Sequence, residues 1–320
     1  MDVGGAGHEQ IDEFVFEWSS ATDVGRVRSL NEDSMLVEPG LFVVADGMGG
    51  HAAGDVASAL AIEVFRERAE SIPLSLDVVE ELIAAANRRV RERAEQDHTD
   101  GMGTTLVGVA LVQNGDSRSL LVFNVGDSRC YSWNPTEGLS LVTRDHSLVQ
   151  ELVDAGDISA DEMNTHPERN VVTRAIGVEP SVAPDFVVLP QAPHRRLLLC
   201  SDGVSGQVEA STIDAAMARE HAASTAAVEL VERVLDGPAP DNATCVAVDV
   251  AWTDARSPGL ADADVTGPRP APLDDVTGPP PGAAPRESAL IRSVPGVGGA
   301  PDSNGSLLSL RDSVIDEVPS

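Results

Sequence analysis

The stretch Leu41-Phe-Val-Val-Ala-Asp-Gly-Met-Gly-Gly-His51 decides the reading of this chain. Leu41–Ala45 has the length of a buried strand, and Asp46-Gly47 closes it with a turn. Two helical patterns follow with no strand between them. His51–Glu70 carries Val56, Leu60 and Val64 on one face. Leu76–Arg93 carries Leu76, Val79, Ile83, Ala86 and Val90 at helical spacing, with Ser75 placed to cap it. Further strand-length apolar runs lie at Phe14–Trp18, Thr105–Val112, Leu120–Val125, Leu197–Cys200 and Cys245–Val250. One more helix is expected over Thr225–Leu235, stopped by Gly237-Pro238. Strict strand–helix alternation would give a parallel sheet. Here the elements come in blocks, which gives an α+β fold with antiparallel sheets.

Composition narrows the function classes. The 320 residues are 42% hydrophobic but only 3% aromatic, so Ala, Val and Leu build the core. With 22 basic against 52 acidic residues, the formal charge is −30. Such a chain repels nucleic acid and anionic membrane, and neither is expected as a partner. Cys130, Cys200 and Cys245 form no CxxC pair and read as buried thiols in a reducing compartment. No apolar run spans a membrane and no secretory signal is visible, so the expected location is cytoplasmic. Residues 1–13 are Gly-rich and polar, and are expected to form a mobile N-terminus. The composition changes again after Trp252, where 11 of the 21 prolines fall in the last 68 residues. Residues 253–320 read as a disordered Pro/Gly/Asp-rich tail behind a domain at 14–252. Within that tail, Leu307, Leu310, Val314 and Val318 have helical spacing.

Four aspartates share one setting. Asp46, Asp127 and Asp202 follow apolar runs, and Asp241 precedes one. Ends of antiparallel neighbours meet at a sheet edge, so these carboxylates can converge. Converged carboxylates repel unless protonated or met by cations. Oxygen ligands without His or Cys favour Mg²⁺ or Mn²⁺. A single Asp-Gly pair is an ordinary turn; four in this setting argue for more.

Six strings occur in order: Gly25-Arg-Val-Arg-Ser-Leu-Asn-Glu-Asp33, Ala45-Asp-Gly-Met-Gly-Gly-His51, Gly101-Met-Gly-Thr-Thr105, Val125-Gly-Asp-Ser-Arg129, Cys200-Ser-Asp-Gly203 and Pro240-Asp-Asn-Ala-Thr244. Together they resemble the bacterial branch of the metal-dependent Ser/Thr protein phosphatases, the protein phosphatase 2C type, over about residues 17–252. The resemblance implies a four-layer α-β-β-α sandwich of two antiparallel sheets flanked by helices. It implies hydrolysis of phosphoserine and phosphothreonine in opposition to bacterial Ser/Thr kinases, by a water activated between two ions. Asp46 would bridge the two ions, with the Gly47 carbonyl on one, and Asp202 and Asp241 on the other. Glu32 and Asp33 would orient metal-bound waters, Asp127 with Asp202 would hold a weaker third ion, and Arg28 would bind the substrate phosphate.

Two positions depart from relatives. Eukaryotic members have a histidine, proposed as general acid, where this chain has Met48; His51 is nearby. Many relatives have an acid assisting the third ion where this chain has Gly206. The polar stretch between His146 and Arg174 matches the family's flap beside the active site, with His146 and His166 read as surface residues. Two alternative readings share the pattern. A catalytically silent phosphoprotein-binding module would not need Arg28, Asp46, Asp202 and Asp241 together. A phosphatase of anti-sigma-factor antagonists would use the same chemistry on another partner.

Overall fold

A computed structural model describes residues 1–49, 53–99, 101–190, 192–219, 222–252 and 290–291. Two antiparallel sheets stack face to face, each covered outside by helices. The first sheet runs in the order β1 (Asp2–Ile11), β2 (Phe14–Asp23), β12 (Ala243–Trp252), β11 (His194–Cys200), β8 (Arg129–Asn134), β9 (Gly138–Leu141). The second runs β13 (Leu290–Ile291), β10 (Asp185–Leu189), β7 (Ser117–Val125), β6 (Leu106–Asn114), β4 (Leu41–Met48), β3 (Asp33–Glu38), with β5 (Gly103–Thr104) joined to β4. Helices α1 (Gly54–Arg66) and α2 (Leu76–Asp97) cover the second sheet, whereas α5 (Ala210–Met217) and α6 (Ala222–Leu235) cover the first.

The layering explains why the strands read as continuous apolar runs. In β4, Leu41, Val43 and Ala45 pack toward α1 and α2, while Phe42 and Val44 face the other sheet. In β11, Leu197 and Leu199 face between the sheets, while Leu198 and Cys200 pack toward the helices. A strand buried on both faces has no polar side to alternate with. The three cysteines are free and buried, as read from the sequence.

Helix α2 begins where Ser75 predicts, with the Ser75 side chain accepting from the Val78 N–H. The first helix is shorter than the pattern over 51–70, spanning Gly54–Arg66; Gly50, His51 and Ala52 lie outside the described residues. The N-terminal expectation is corrected. Asp2–Ile11 pairs antiparallel with β2 along its length. Edge pairing rests on main-chain hydrogen bonds, so a Gly-rich, polar segment with little side-chain patterning can still form it. Of the segment after Trp252, only Leu290–Ile291 is described, paired with Phe186–Val187 of β10. The expectations for the rest of the tail, including Leu307 to Val318, lie outside the described residues.

One contact sets the fit of α1 on the second sheet. Phe123 of β7 stacks on Phe65 of α1, with ring centroids 5.3 Å apart. Its ring lies over Gly108 of β6, where any Cβ would run into it. Gly108→Ala should therefore cost about 1–3 kcal/mol by overpacking, read as a lower urea midpoint. Adding Phe123→Leu should recover part of that loss. Equal midpoints for wild type and Gly108→Ala would refute the packing argument.

Candidate active site

The strand ends deliver the predicted acids to one end of the sandwich. Asp33 and Asp46 are direct partners across β3 and β4. Asp46 is 7% exposed, and its main chain is held on both sides. Its N–H donates to Thr105 Oγ1 at 2.9 Å, while Thr105 N–H and Thr104 Oγ1 donate to its carbonyl at 2.9 and 3.0 Å. Gly47 follows in a position with no room for a Cβ, which would meet the carbonyl oxygens of Gly54 and Glu32. Asp202 opens the short helix α4 (Asp202–Ser205) after β11, and Asp241 stands two residues before β12.

Arg28, Asp127, Asp202 and Asp241 line one open cavity of about 340 Å³. Arg28 Nη2 donates to Asp241 Oδ2 at 2.9 Å. Met163, Arg169 and Asn170 also line this cavity, which places the stretch between His146 and Arg174 beside the site. Gly206 also lines the cavity, at φ −86°, and a Cβ there would lie 2.8 Å from the Asp202 carbonyl oxygen. Met48 is buried rather than presented to the cavity, and no described histidine lines it. His51 lies outside the described residues.

Electrostatics mark Asp33. It is 9% exposed, and burial pushes its carboxyl up to about 7. Hydrogen bonds from Thr244 and Ser201 oppose the rise, and the charges of Asp202 and Asp241 add to it. Ser201 Oγ donates to Asp33 Oδ2 at 2.8 Å, while Asp33 Oδ1 is buried with no hydrogen-bond partner. Glu32 is also raised, by burial first, with Arg28 opposing and Asp55 and Asp241 reinforcing. These are carboxylates whose charge the protein alone leaves incompletely met.

This donor set fits divalent cations. It consists of oxygens only, and one buried carboxylate oxygen lacks a partner. Among the described residues, no group of three His, Cys, Asp or Glu side chains is gathered closely enough to hold an ion. Mg²⁺ retains waters and takes one or two carboxylates, so it does not require three gathered side chains.

Sequence reasoning missed the residues that hold these acids in place. Asn242 Oδ1 accepts from the Glu32 N–H at 2.8 Å, and Asn242 Nδ2 donates to the carbonyls of Val24 and Leu30. Asn31 Oδ1 accepts from the Asp33 N–H at 3.2 Å. Arg129 forks onto Asp145, at 3.0 Å to Oδ1 and 2.7 Å to Oδ2, and both line the cavity. Their signal was adjacency: amide and hydroxyl residues sit directly beside the acids in the quoted strings. Cys200 is fully buried and does not line the cavity, and burial pushes its thiol up to about 12, which suits packing rather than nucleophilic attack. His146 is corrected from a surface residue to one only 2% exposed.

The four-layer sandwich opens at a cleft lined by Asp127, Asp145, Asp202 and Asp241 together with Arg28, Arg129 and Arg169, a setting suited to cations and a phosphoryl group. Residues 26–242 match the family Protein phosphatase 2C, and the chain belongs to this family of metal-dependent Ser/Thr phosphoprotein phosphatases. It is 37% identical over 240 residues to the serine/threonine protein phosphatase PstP of Mycobacterium tuberculosis, covering 74% of this chain. The chain spans less than half of PstP, 45% of its length. It is 35% identical over 241 residues to the serine/threonine phosphatase Stp of Listeria monocytogenes, covering 71% of this chain and 93% of Stp. The crystal structure of the PstP catalytic domain in complex with two manganese ions superposes with a TM-score of 0.67 at 35% identity, covering 74% of this chain and 99% of that domain.

Asp33 yields a pH prediction. The folded carboxyl keeps its proton up to about 7, whereas the unfolded one releases it near the ordinary 3.8. The stability this group contributes is therefore present at low pH and lost as pH rises through about 7. Metal-free Asp33→Asn should lose less stability than wild type between about pH 5 and pH 8, by urea unfolding. Equal losses would show that Asp33 is not the strained group.

Proposed function

We propose that this chain removes phosphate from phosphoserine and phosphothreonine in bacterial proteins, including those phosphorylated by Ser/Thr kinases and the kinases themselves. The observation that carries this reading is the shared cavity of Arg28 with Asp127, Asp202 and Asp241. A guanidinium at the rim of an acidic cleft attracts a phosphoryl group there, while the acids behind it repel that group unless cations intervene. Asp46, the Gly47 carbonyl, Asp202 and Asp241 would together hold a tight pair of ions. Glu32 and Asp33 would orient waters on those ions, and Asp127 with Asp202 would hold a weaker third.

When bound, such Mn²⁺ or Mg²⁺ ions supply Lewis acidity that generates a nucleophile from water at neutral pH and offsets phosphoryl charge. The protein's own groups do the rest. Arg28 has five donors, one of them directed to Asp241, so its fork can hold two phosphoryl oxygens. The Thr104 and Thr105 bonds fix the Asp46 peptide, so the backbone that carries this carboxylate is held in place beforehand. The wall bearing Met163, Arg169 and Asn170 faces whatever peptide flanks the phosphoresidue. Three unbridged thiols suit a reducing compartment, and we place the protein in the cytoplasm. Among the described residues no helix is long and apolar enough to cross a membrane.

The test is turnover of a phosphothreonine peptide by the full chain with Mn²⁺. Asp46→Asn should lower it by about a thousandfold, since the ions' contribution is worth several kcal/mol, while circular dichroism stays native. Sustained turnover in excess chelator would end the metal-dependent reading, and activity confined to phosphotyrosine would end the substrate assignment. Residues 253–320 contain none of the site strings, so a chain ended after Trp252 should turn the same peptide over unchanged. Loss of turnover on truncation would move the domain boundary into the tail.

A further inference from the structure

His146 lies behind the cavity rather than in it, and its contacts run two ways. Its main-chain N–H donates to the Gly126 carbonyl at 2.9 Å, and its Nδ1 accepts from the Gly126 N–H at 3.0 Å. One residue thus grips both polar atoms of the glycine that precedes Asp127. That glycine has φ +105°, and a Cβ on it would lie 2.7 Å from Thr105 Cβ. Asn124 Nδ2 also donates to its carbonyl, at 3.1 Å. On the far side of Asp127, Ser128 Oγ meets Thr105 Oγ1 at 2.7 Å. The turn carrying Asp127 is fixed at both ends.

The other face of His146 reaches the segment that comes shortly after the cavity-lining residues Arg169 and Asn170. Its carbonyl accepts from the Thr173 N–H at 2.9 Å. With Nδ1 committed as an acceptor, a neutral ring carries its proton on Nε2. Nε2 lies 3.2 Å from Asp185 Oδ2 and donates to it. Arg174 Nη1, 2.9 Å from Nε2, is a second donor beside it, directed to Asp185 Oδ1 at 3.1 Å and the Ala183 carbonyl at 2.8 Å. Residues 173–185 begin three positions after Asn170, which with Arg169 lines the cavity.

We propose that His146 is a positioning residue for Asp127, locking the Asp127 turn to the 173–185 segment. This rests on the reading of Asp127 as a ligand for the weaker ion. A carboxylate that binds an ion with few protein partners depends on being held where the ion needs it, and partners behind metal ligands are typically worth 10–100-fold in affinity. His146 supplies that hold through the Gly126 peptide without touching the ion or the substrate.

The experiment is Mn²⁺ titration calorimetry on the full chain after chelator treatment. The set is wild type, His146→Ala, Asp127→Ala, their double variant, and Asp185→Asn. His146→Ala should weaken the low-affinity phase at least about tenfold and leave the tight phase unchanged. The double variant should bind no worse than Asp127→Ala alone, because His146 acts through Asp127. Asp185→Asn sits at a partly exposed site and should weaken the same phase to a smaller degree. It keeps the test open if His146→Ala fails to fold. An unchanged low-affinity phase in the foldable variants, additive losses in the double variant, or no second phase in wild type would each overturn the proposal. Phosphopeptide turnover by wild type, measured alongside, separates this outcome from failure of the functional reading: turnover with an indifferent His146 sinks only the inference.

Discussion

Mutual repulsion among buried carboxylates is the constraint around which this molecule is built. Asp33 and Asp46 face each other across a strand pair, and Asp33 feels Asp202 and Asp241 from the opposite sheet. Burial first, with the charges of Asp202 and Asp241 adding to it, holds the Asp33 proton up to about 7. A fold that gathers such groups needs something to hold them against their tendency to part. Here the holding is done by main-chain and hydroxyl contacts: Thr104 and Thr105 on Asp46, Ser201 on Asp33, Asn242 on Glu32. Unmet carboxylate charge then becomes a preference for divalent cations, with Arg28 placed at the rim for an anionic substrate.

The sandwich makes this gathering possible because each sheet contributes acids from different strand ends. Asp33, Asp46 and Asp127 border strands of the second sheet, while Asp202 and Asp241 border strands of the first. Apolar packing between the sheets, centred on Phe16, Phe42, Leu197 and Val246, sets their separation. The cleft is therefore fixed by the core rather than by loops, which favours precise ligand placement.

What the sequence made readable follows from the same layering. Strands buried on both faces, such as Leu41–Met48 and His194–Cys200, announce themselves as apolar runs, and their terminal aspartates stand out by contrast. The half-buried strand Asp33–Glu38 and the polar strand Arg129–Asn134 carry no such run and went unread. Asp2–Ile11 escaped for a different reason, since its pairing depends on the main chain of β2 and little on its own side chains. At the site, the acids and Arg28 were recognisable from ordered strings, but their supports were not. Nothing local says that the Asn242 amide reaches the Glu32 N–H, or that His146 grips Gly126 from 20 residues away. Those contacts exist only once the sheets are stacked.

Thermal unfolding of the chelator-treated protein with and without Mn²⁺, across about pH 6 to 8, tests the carboxylate account most directly. Ligand that binds only the folded state raises stability by mass action, about 2.7 kcal/mol at a hundredfold excess over Kd. The account predicts a rise in Tm on adding millimolar Mn²⁺ that grows with pH as the Asp33 proton is given up. A Tm indifferent to Mn²⁺ across that range would contradict it.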